Sequence, residues 1–218
     1  MRPRRLLTTS LTVIAGVAWV VAIVHLRGNA QKFPATAHTQ RAVERMRGMS
    51  MMLQGGGKPT DRELTRREIT RQLHDLGPAA IAALVQALRD PDVQMRRNAA
   101  LALINLGGGY SPEAKPPLDT RAALPSLVDA TRDADADVRG WSAHAIAEIG
   151  AAAQPAIPAL LALLHDPEVG PRNTSCMALG RIGPAAREAL PALRDALNDP
   201  SSDVRRFAQI AIGRIEGR

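Results

Sequence analysis

The feature that most restricts this chain is an internal repeat, and a search for one comes first in any helical Ala/Leu sequence. An Asp ahead of a Pro or acidic turn recurs as Asp90, Asp133, Asp166 and Asp199, at spacings of 43, 33 and 33 residues. Six residues after each stands an Arg: Arg96, Arg139, Arg172 and Arg205. Nine before come Ile81, Leu124, Ile157 and Leu190, and six before come Leu84, Leu127, Leu160 and Leu193. Thirteen after come Leu103, Ile146, Leu179 and Ile212, and sixteen after come Leu106, Ile149, Ile182 and Ile215. Gly107, Gly150 and Gly183 close three of the four units. A chain with these columns is built from copies of one small unit that cannot bury its own apolar surface.

Each unit reads as two short helices. The first carries apolar residues at i, i+3 and i+7, as in Leu190, Leu193 and Leu197, which is one stripe of a helix. Pro125, Pro158 and Pro191 fall in its first turn, where a missing N–H costs nothing. An Asp-led turn ends it, and Asp92, Asp135 or Ser201 can cap the second helix. The second helix runs about fifteen residues to the Gly, which suits a left-handed cap. Stacked units bury one another's stripes, with contacts only between neighbours. The expected fold is all-α, a right-handed α-solenoid.

Composition agrees. Five aromatic residues, 2% of 218, are too few for a β-sandwich. The lone Cys176 excludes an intrachain disulfide and a cysteine zinc site. Net charge is +7, yet residues 1–35 hold five basic groups and no acid, while residues 78–218 hold fifteen basic and sixteen acidic groups. The repeats are near neutral, so a nucleic-acid partner, which needs a concentrated basic face, is not expected.

The runs LVQALRDPDVQMRRNAALALINLG, LVDATRDADADVRGWSAHAIAEIG, LLALLHDPEVGPRNTSCMALGRIG and LRDALNDPSSDVRRFAQIAIGRIE resemble the HEAT family, specifically the short HEAT-like repeats of phycobilisome lyase proteins. The resemblance covers residues 78–218 as four units: 78–107, 108–150, 151–183 and 184–218. The extra ten residues of the second unit lie in 107–119, rich in Gly and Pro, and read as a loop. Residues 37–77 read as a degenerate N-terminal capping pair, with Thr60 in the Asp position and Arg66, Ile69, Leu73, Leu76 and Gly77 on the second-helix template. Val43, Met46, Met49 and Leu53 supply its first-helix stripe. No such cap is recognisable at the C-terminal side.

Before the repeats lie a basic tail (1–5), an apolar run (6–26) and a linker (27–36). Twenty-one uncharged residues, His25 aside, span roughly 31 Å as a helix, enough for a bilayer core. The run exceeds the apolar core of a signal peptide, about 7–15 residues, which points to an uncleaved signal anchor. Cleavage after Gly28-Asn29-Ala30, giving a secreted protein, is the alternative. Arg2, Arg4 and Arg5 are denser than Arg27, Lys32 and Arg41 on the other flank, which places the repeats on the non-cytoplasmic side. In that compartment Cys176 has no partner in the chain and should be buried.

No catalytic constellation, cofactor motif or metal set is legible. No two histidines stand at i, i+3 or i+4. His144 and Glu148 share a helix face and need outside groups to hold a metal. Deoxyhypusine hydroxylase, which resembles this fold, carries paired His-Glu motifs that are missing here. Ser142 and Ser175 have no neighbouring base, and Gly55-Gly56-Gly57-Lys58 follows no strand.

Two polar and apolar columns remain. The Asp/Arg ladder (Asp90, Arg96, Asp133, Arg139, Asp166, Arg172, Asp199, Arg205) either ties unit to unit, as the resemblance implies, or offers Arg side chains to an acidic ligand. The eighth residue after each Asp (Asn98, Trp141, Thr174, Phe207) and the eleventh (Leu101, His144, Met177, Ile210) point away from the buried face by helical arithmetic. Leu101, Trp141, His144, Met177, Phe207 and Ile210 are therefore either an apolar groove for a protein partner or packing between second helices. The expected function is a membrane-anchored, non-enzymatic interaction scaffold. The alternative is an enzyme or enzyme subunit of the HEAT-like lyase or metal-dependent hydroxylase type, using His144 and Glu148 with a partner's residues.

Overall fold

The computed structural model describes residues 70–109 and 117–218, together with Glu44, a helical position. The expected membrane segment 6–26, most of the expected capping pair 37–77 and the tip of the insertion loop with Tyr110 lie outside the described residues. Within them the chain is helical, with no strand.

Four helix pairs follow one another: α1 (Pro78–Ala87) with α2 (Val93–Leu106), α3 (Leu124–Ala130) with α4 (Ala136–Ile149), α5 (Ile157–Leu163) with α6 (Val169–Ile182), and α7 (Leu190–Asp195) with α8 (Ser202–Glu216). The second helices pack side by side, α2 on α4, α4 on α6 and α6 on α8, and each first helix packs on the second helix of its own pair. Leu84, Leu127, Leu160 and Leu193, one column of the repeat, are all fully buried. Each contributes about 1.5–3 kcal/mol by leaving water. Leu103, Ile146 and Leu179 are equally buried and Ile212 nearly so, so one hydrophobic core runs the length of the array. Ahead of it residues 70–75 are helical, Leu73 is buried in the same core, and Asn105 Nδ2 donates to Thr70 Oγ1 at 3.4 Å.

Local chemistry sets the ends of the helices, with some departures from the sequence reading. Pro125, Pro158 and Pro191 do sit in first turns. Ahead of three of the first helices runs a 3-10 segment, Arg121–Ala123, Gly150–Ala156 and Gly183–Ala189, which the two-helix reading missed. These segments are small and Pro-containing or short, and Ala123, Ala153, Ala156, Ala186 and Ala189 are fully buried. Asp92 accepts from Gln94 N–H at 2.9 Å and Asp135 from Val138 N–H at 3.1 Å, as caps do. Ser201 holds the cap position of α8 without a side-chain bond; the Asp199 carboxylate takes the Ser201 N–H instead, at 2.8 Å.

The closing glycines also differ from expectation. Gly150 (φ 68°, ψ −138°) and Gly183 (φ 74°, ψ −143°) have positive φ but are not left-handed helical. That ψ swings the chain directly into the next 3-10 segment. Gly107 stays helical at φ −75°, because its N–H still reaches Leu103 O, and the reversal moves to Gly108 at φ 106°. The insertion is pinned at both ends on α2, by Gly109 N–H to Ile104 O and Leu118 N–H to Leu106 O.

One described stretch, Ala136–Leu163, is long and apolar enough to cross a membrane by length and composition. It comprises α4, the 3-10 segment Gly150–Ala156 and α5, and Ile146, Ile157 and Leu160 within it are core.

Candidate interaction surface

The ladder residues come together across unit boundaries. Arg96 donates through Nε and Nη2 to the Asp133 carboxylate at 2.7 and 3.0 Å. Arg139 does the same to Asp166 at 2.6 and 2.8 Å, and Arg172 to Asp199 at 2.7 and 3.1 Å. The third nitrogen of each guanidinium, Nη1, turns back to two carbonyls of its own turn; for Arg139 these are Asp133 O and Ala134 O at 2.9 and 3.0 Å. One planar fork thus closes a turn and clamps the next, a role the point charge of Lys does not match. Each Asp accepts in turn from an N–H two residues on, Asp133 from Asp135 and Asp166 from Glu168, both at 2.9 Å.

These rungs are largely shielded: the side chains of Arg139 and Asp166 are 13% and 6% exposed. Burial works against the Asp166 carboxylate, but the Arg139 fork and the Glu168 N–H outweigh it and hold it below the usual carboxylate range. Asp133 is depressed against the same burial cost by Arg96 and the Asp135 N–H. Asp199 is depressed chiefly by the Arg172 hydrogen bond. Arg205 keeps the bonds to its own turn, Asp199 O at 2.7 Å and Pro200 O at 2.9 Å, but has no ion-pair partner among the described residues. Asp90 makes its Asx turn with the Asp92 N–H at 2.9 Å. The column rule missed one rung: Arg97 bridges to Asp135 at 2.8 and 2.5 Å and to Asp137 at 3.3 Å. With their charged ends committed to turns and neighbouring units, the shielded rungs work as staples.

The outward columns form one surface along the second helices. Asn98, Trp141, Thr174 and Phe207 are half-buried, as are Leu101, His144 and Met177, while Ile210 is 42% exposed. Leu101, Trp141, Met177 and Phe207 rest on the edge of the core. Each of these side chains therefore packs on its inner side and offers the rest to solvent. Two shallow depressions interrupt the surface. One, of about 200 Å³, lies between α4 and α6 and is lined by Trp141, Gly140, Pro171 and Thr174 with Asp137 and Glu168. The other, of about 220 Å³, lies between α6 and α8 and is lined by Met177, Phe207, Ile210 and Ala211 with Arg181 and Arg214.

A polar cluster adjoins the second depression through Arg181. His144 Nε2 is 3.3 Å from Glu148 Oε1, and Arg181 Nη1 donates to Glu148 Oε2 at 3.2 Å. Glu148 is only 5% exposed. Burial pushes the His144 imidazole below its ordinary value; Glu148 opposes this and Arg181 reinforces it. One carboxylate and one imidazole leave a metal short of protein ligands, and no group of three or more His, Cys, Asp or Glu able to hold a metal occurs among the described residues. Ser142 and Ser175 are fully buried, and Ser175 donates to Leu160 O at 2.5 Å. Cys176 is buried and its thiol is pushed up to about 12, chiefly by desolvation.

Comparison with known proteins places the fold among helical repeats. Residues 124–213 match the family model for HEAT repeats. The unit ahead of them, α1 and α2, extends the array through the same Arg96–Asp133 clamp. The chain is similar in fold to the complex of CpcE and CpcF of phycocyanin lyase from Nostoc sp. PCC7120, at TM-score 0.58 and 24% identity over 88% of this chain and 70% of that one. It is similar also to an engineered protein (TM-score 0.57, 19% identity, 93% of this chain and 97% of that one). A third similar structure is a computationally designed armadillo repeat protein for modular peptide recognition, at TM-score 0.52 and 21% identity over 80% and 97% of the two chains. No curated protein sequence matches significantly.

Proposed function

We propose that this chain is a non-enzymatic interaction scaffold: a right-handed HEAT-repeat superhelix that holds a partner protein on the exposed surface of its second helices, tethered by a membrane helix at 6–26. The observation that carries the reading is the row of half-buried and exposed apolar side chains, Trp141, Met177, Phe207 and Ile210, on a rigid array whose shielded Arg side chains are already spent on stapling. Aromatic anchors in such a row supply on the order of 2–4 kcal/mol each when they are hot spots. A designed armadillo repeat protein of similar fold was made for modular peptide recognition, which accords with a protein ligand.

The test is a crosslinking capture from membranes, comparing wild type with Trp141→Ala/Phe207→Ala. A folded double variant that loses the captured partners supports the reading. Equal capture by the folded variant places binding elsewhere. The anchor and its orientation have a separate test, alkaline phosphatase fused after Arg218. Activity supports a non-cytoplasmic array, and a mature chain lacking its first thirty residues by mass spectrometry supports secretion instead.

A further inference from the structure

The two depressions on the second-helix surface differ in sign. The one between α4 and α6 has Asp137 and Glu168 on its rim, with Arg97 3.3 Å from Asp137 and no cation in the lining itself. The one between α6 and α8 has Arg181 and Arg214 and no carboxylate. The basic pair belongs to one sequence column: the fifteenth residue after each Asp is Asn105, Glu148, Arg181 and Arg214. Glu148 neutralises part of Arg181 through the 3.2 Å contact. Arg214 is exposed and has no ion-pair partner among the described residues. A third guanidinium, Arg206, lies 4.9 Å from the Phe207 ring centroid and 3.5 Å from Asp203, outside the lining of the depression. The floor is apolar, with Met177, Phe207 and Ile210, the last 42% exposed.

We propose that the depression between α6 and α8 seats an acidic protein segment, its carboxylate at Arg181 and Arg214 and a neighbouring large apolar side chain on Met177, Phe207 and Ile210. The proposal rests on the second-helix surface being the binding face. Charge complementarity selects the occupant. The array as a whole is near neutral, so two guanidiniums on one lining, Arg214 unpaired and Arg181 shared with Glu148, are a local preference and not a consequence of composition. The guanidinium fork fits a carboxylate in a bidentate manner. A phosphate-rich nucleic acid would leave the apolar floor unfilled and would call for more than two cations. The same surface rejects a basic segment here by like charge, while the acidic rim beside Trp141 accepts one, so the surface also sets the direction in which a segment with an acidic and a basic end lies.

The experiment pans a random dodecapeptide library on the full 218-residue chain in mild detergent, as wild type, as Arg214→Glu and as Phe207→Ala. Wild type should enrich peptides that place Asp or Glu beside Leu, Ile, Phe or Met. A synthetic enriched peptide should bind Arg214→Glu roughly five- to tenfold more weakly, with the loss shrinking as salt rises. Arg214 is exposed and without an ion-pair partner, so its substitution leaves the core intact; Arg181→Gln is the second variant, which lowers the charge without placing an acid beside Glu148. Enrichment of acidic-apolar peptides lost in both Arg variants supports the proposal. Peptides that depend on Phe207 but ignore both Arg variants overturn the acidic preference and leave the binding face standing. Peptides indifferent to Phe207→Ala as well overturn the binding face itself. Binding of short-chain phosphatidylglycerol through Arg214 with no enriched peptide would assign the depression to a lipid headgroup and overturn the proposal.

Discussion

Replacing Arg139 with Met removes the most shielded rung of the array while keeping the length of the side chain's apolar stem. The lost groups are two charge-assisted bonds to Asp166 at 2.6 and 2.8 Å and two bonds to the carbonyls of Asp133 and Ala134. Removing one partner of a buried ion pair costs about 3–5 kcal/mol, because the other charge is left uncompensated. Asp166 is 6% exposed and retains the Glu168 N–H, so water and that bond recover part of the loss. The expected cost is about 2–3 kcal/mol, or about 4–12 °C in melting temperature for a chain of this size. Arg205→Met is the internal control. Arg205 makes the same two carbonyl bonds and no ion pair among the described residues, so its removal should cost only about 1 kcal/mol. Urea melts followed by circular dichroism at 222 nm, on both single variants and on Arg139→Met/Asp166→Asn, measure the difference. The double variant should recover part of the loss, because an amide in place of the Asp166 carboxylate leaves no unpaired charge. Equal destabilisation by the two Arg substitutions, within about 0.5 kcal/mol, would refute the clamp as the source of cohesion between units.

Other expectations follow from particular contacts. A methyl group on Gly180 would stand 2.9 Å from the Ala211 Cα, so Gly180→Ala should cost about 1–3 kcal/mol in a urea melt, whereas Gly213→Ala, whose nearest non-local atom is 3.8 Å away, should be neutral or stabilising by up to about 1 kcal/mol. Asp133, Asp135, Asp166 and Asp199 have depressed folded values, so their stabilisation is full above the unfolded value near 4 and is lost as pH falls through the folded ones; acid melts should show this loss below about pH 4, reduced in Asp166→Asn. His144 is held below its ordinary value by burial, so the folded chain binds fewer protons there than the unfolded chain. Its contribution is full above about pH 6.5 and declines below it, and His144→Gln should flatten the melting-temperature profile between about pH 6.5 and 5. Cys176, with its thiol pushed up to about 12, should resist maleimide at pH 7.5 until the array is unfolded in urea.

The repeat columns carried most of the fold because they are a packing rule written four times. Leu84, Leu127, Leu160 and Leu193 share one environment, and the spacing alone identifies it. Less legible were features set by one unit's neighbours. Which Asp each Arg grips depends on the stacking distance between units, and spacing within the sequence is silent on that. Arg97 escaped the column rule because its own column reads Arg97, Gly140, Asn173 and Arg206, so its pairing with Asp135 and Asp137 is not repeated by the next two units. The 3-10 segments arise where Ala-rich, Pro-containing stretches pack against the preceding unit, a tertiary effect invisible to helical periodicity. The C-terminal unit shows a related limit. Gln209 stands in the column where Ala100, Ala143 and Cys176 are buried between units, and there it is exposed. That substitution is readable only once the column is known to face the next unit. At the candidate surface, helical arithmetic picked out Trp141, Met177, Phe207 and Ile210. The opposite signs of the two depressions needed three dimensions, since Asp137 and Glu168 line one, and Arg181 and Arg214 the other, from neighbouring units.

Site-specific photocrosslinking tests the scaffold account most directly. A benzoylphenylalanine placed at Trp141 or Ile210 samples the second-helix surface, and the same probe at Gln86 or Ala162 samples exposed positions of first helices. The account predicts a discrete crosslinked protein band from Trp141 and Ile210 in native membranes, absent from Gln86 and Ala162. Bands from the first-helix positions with none from Trp141 or Ile210 would contradict it.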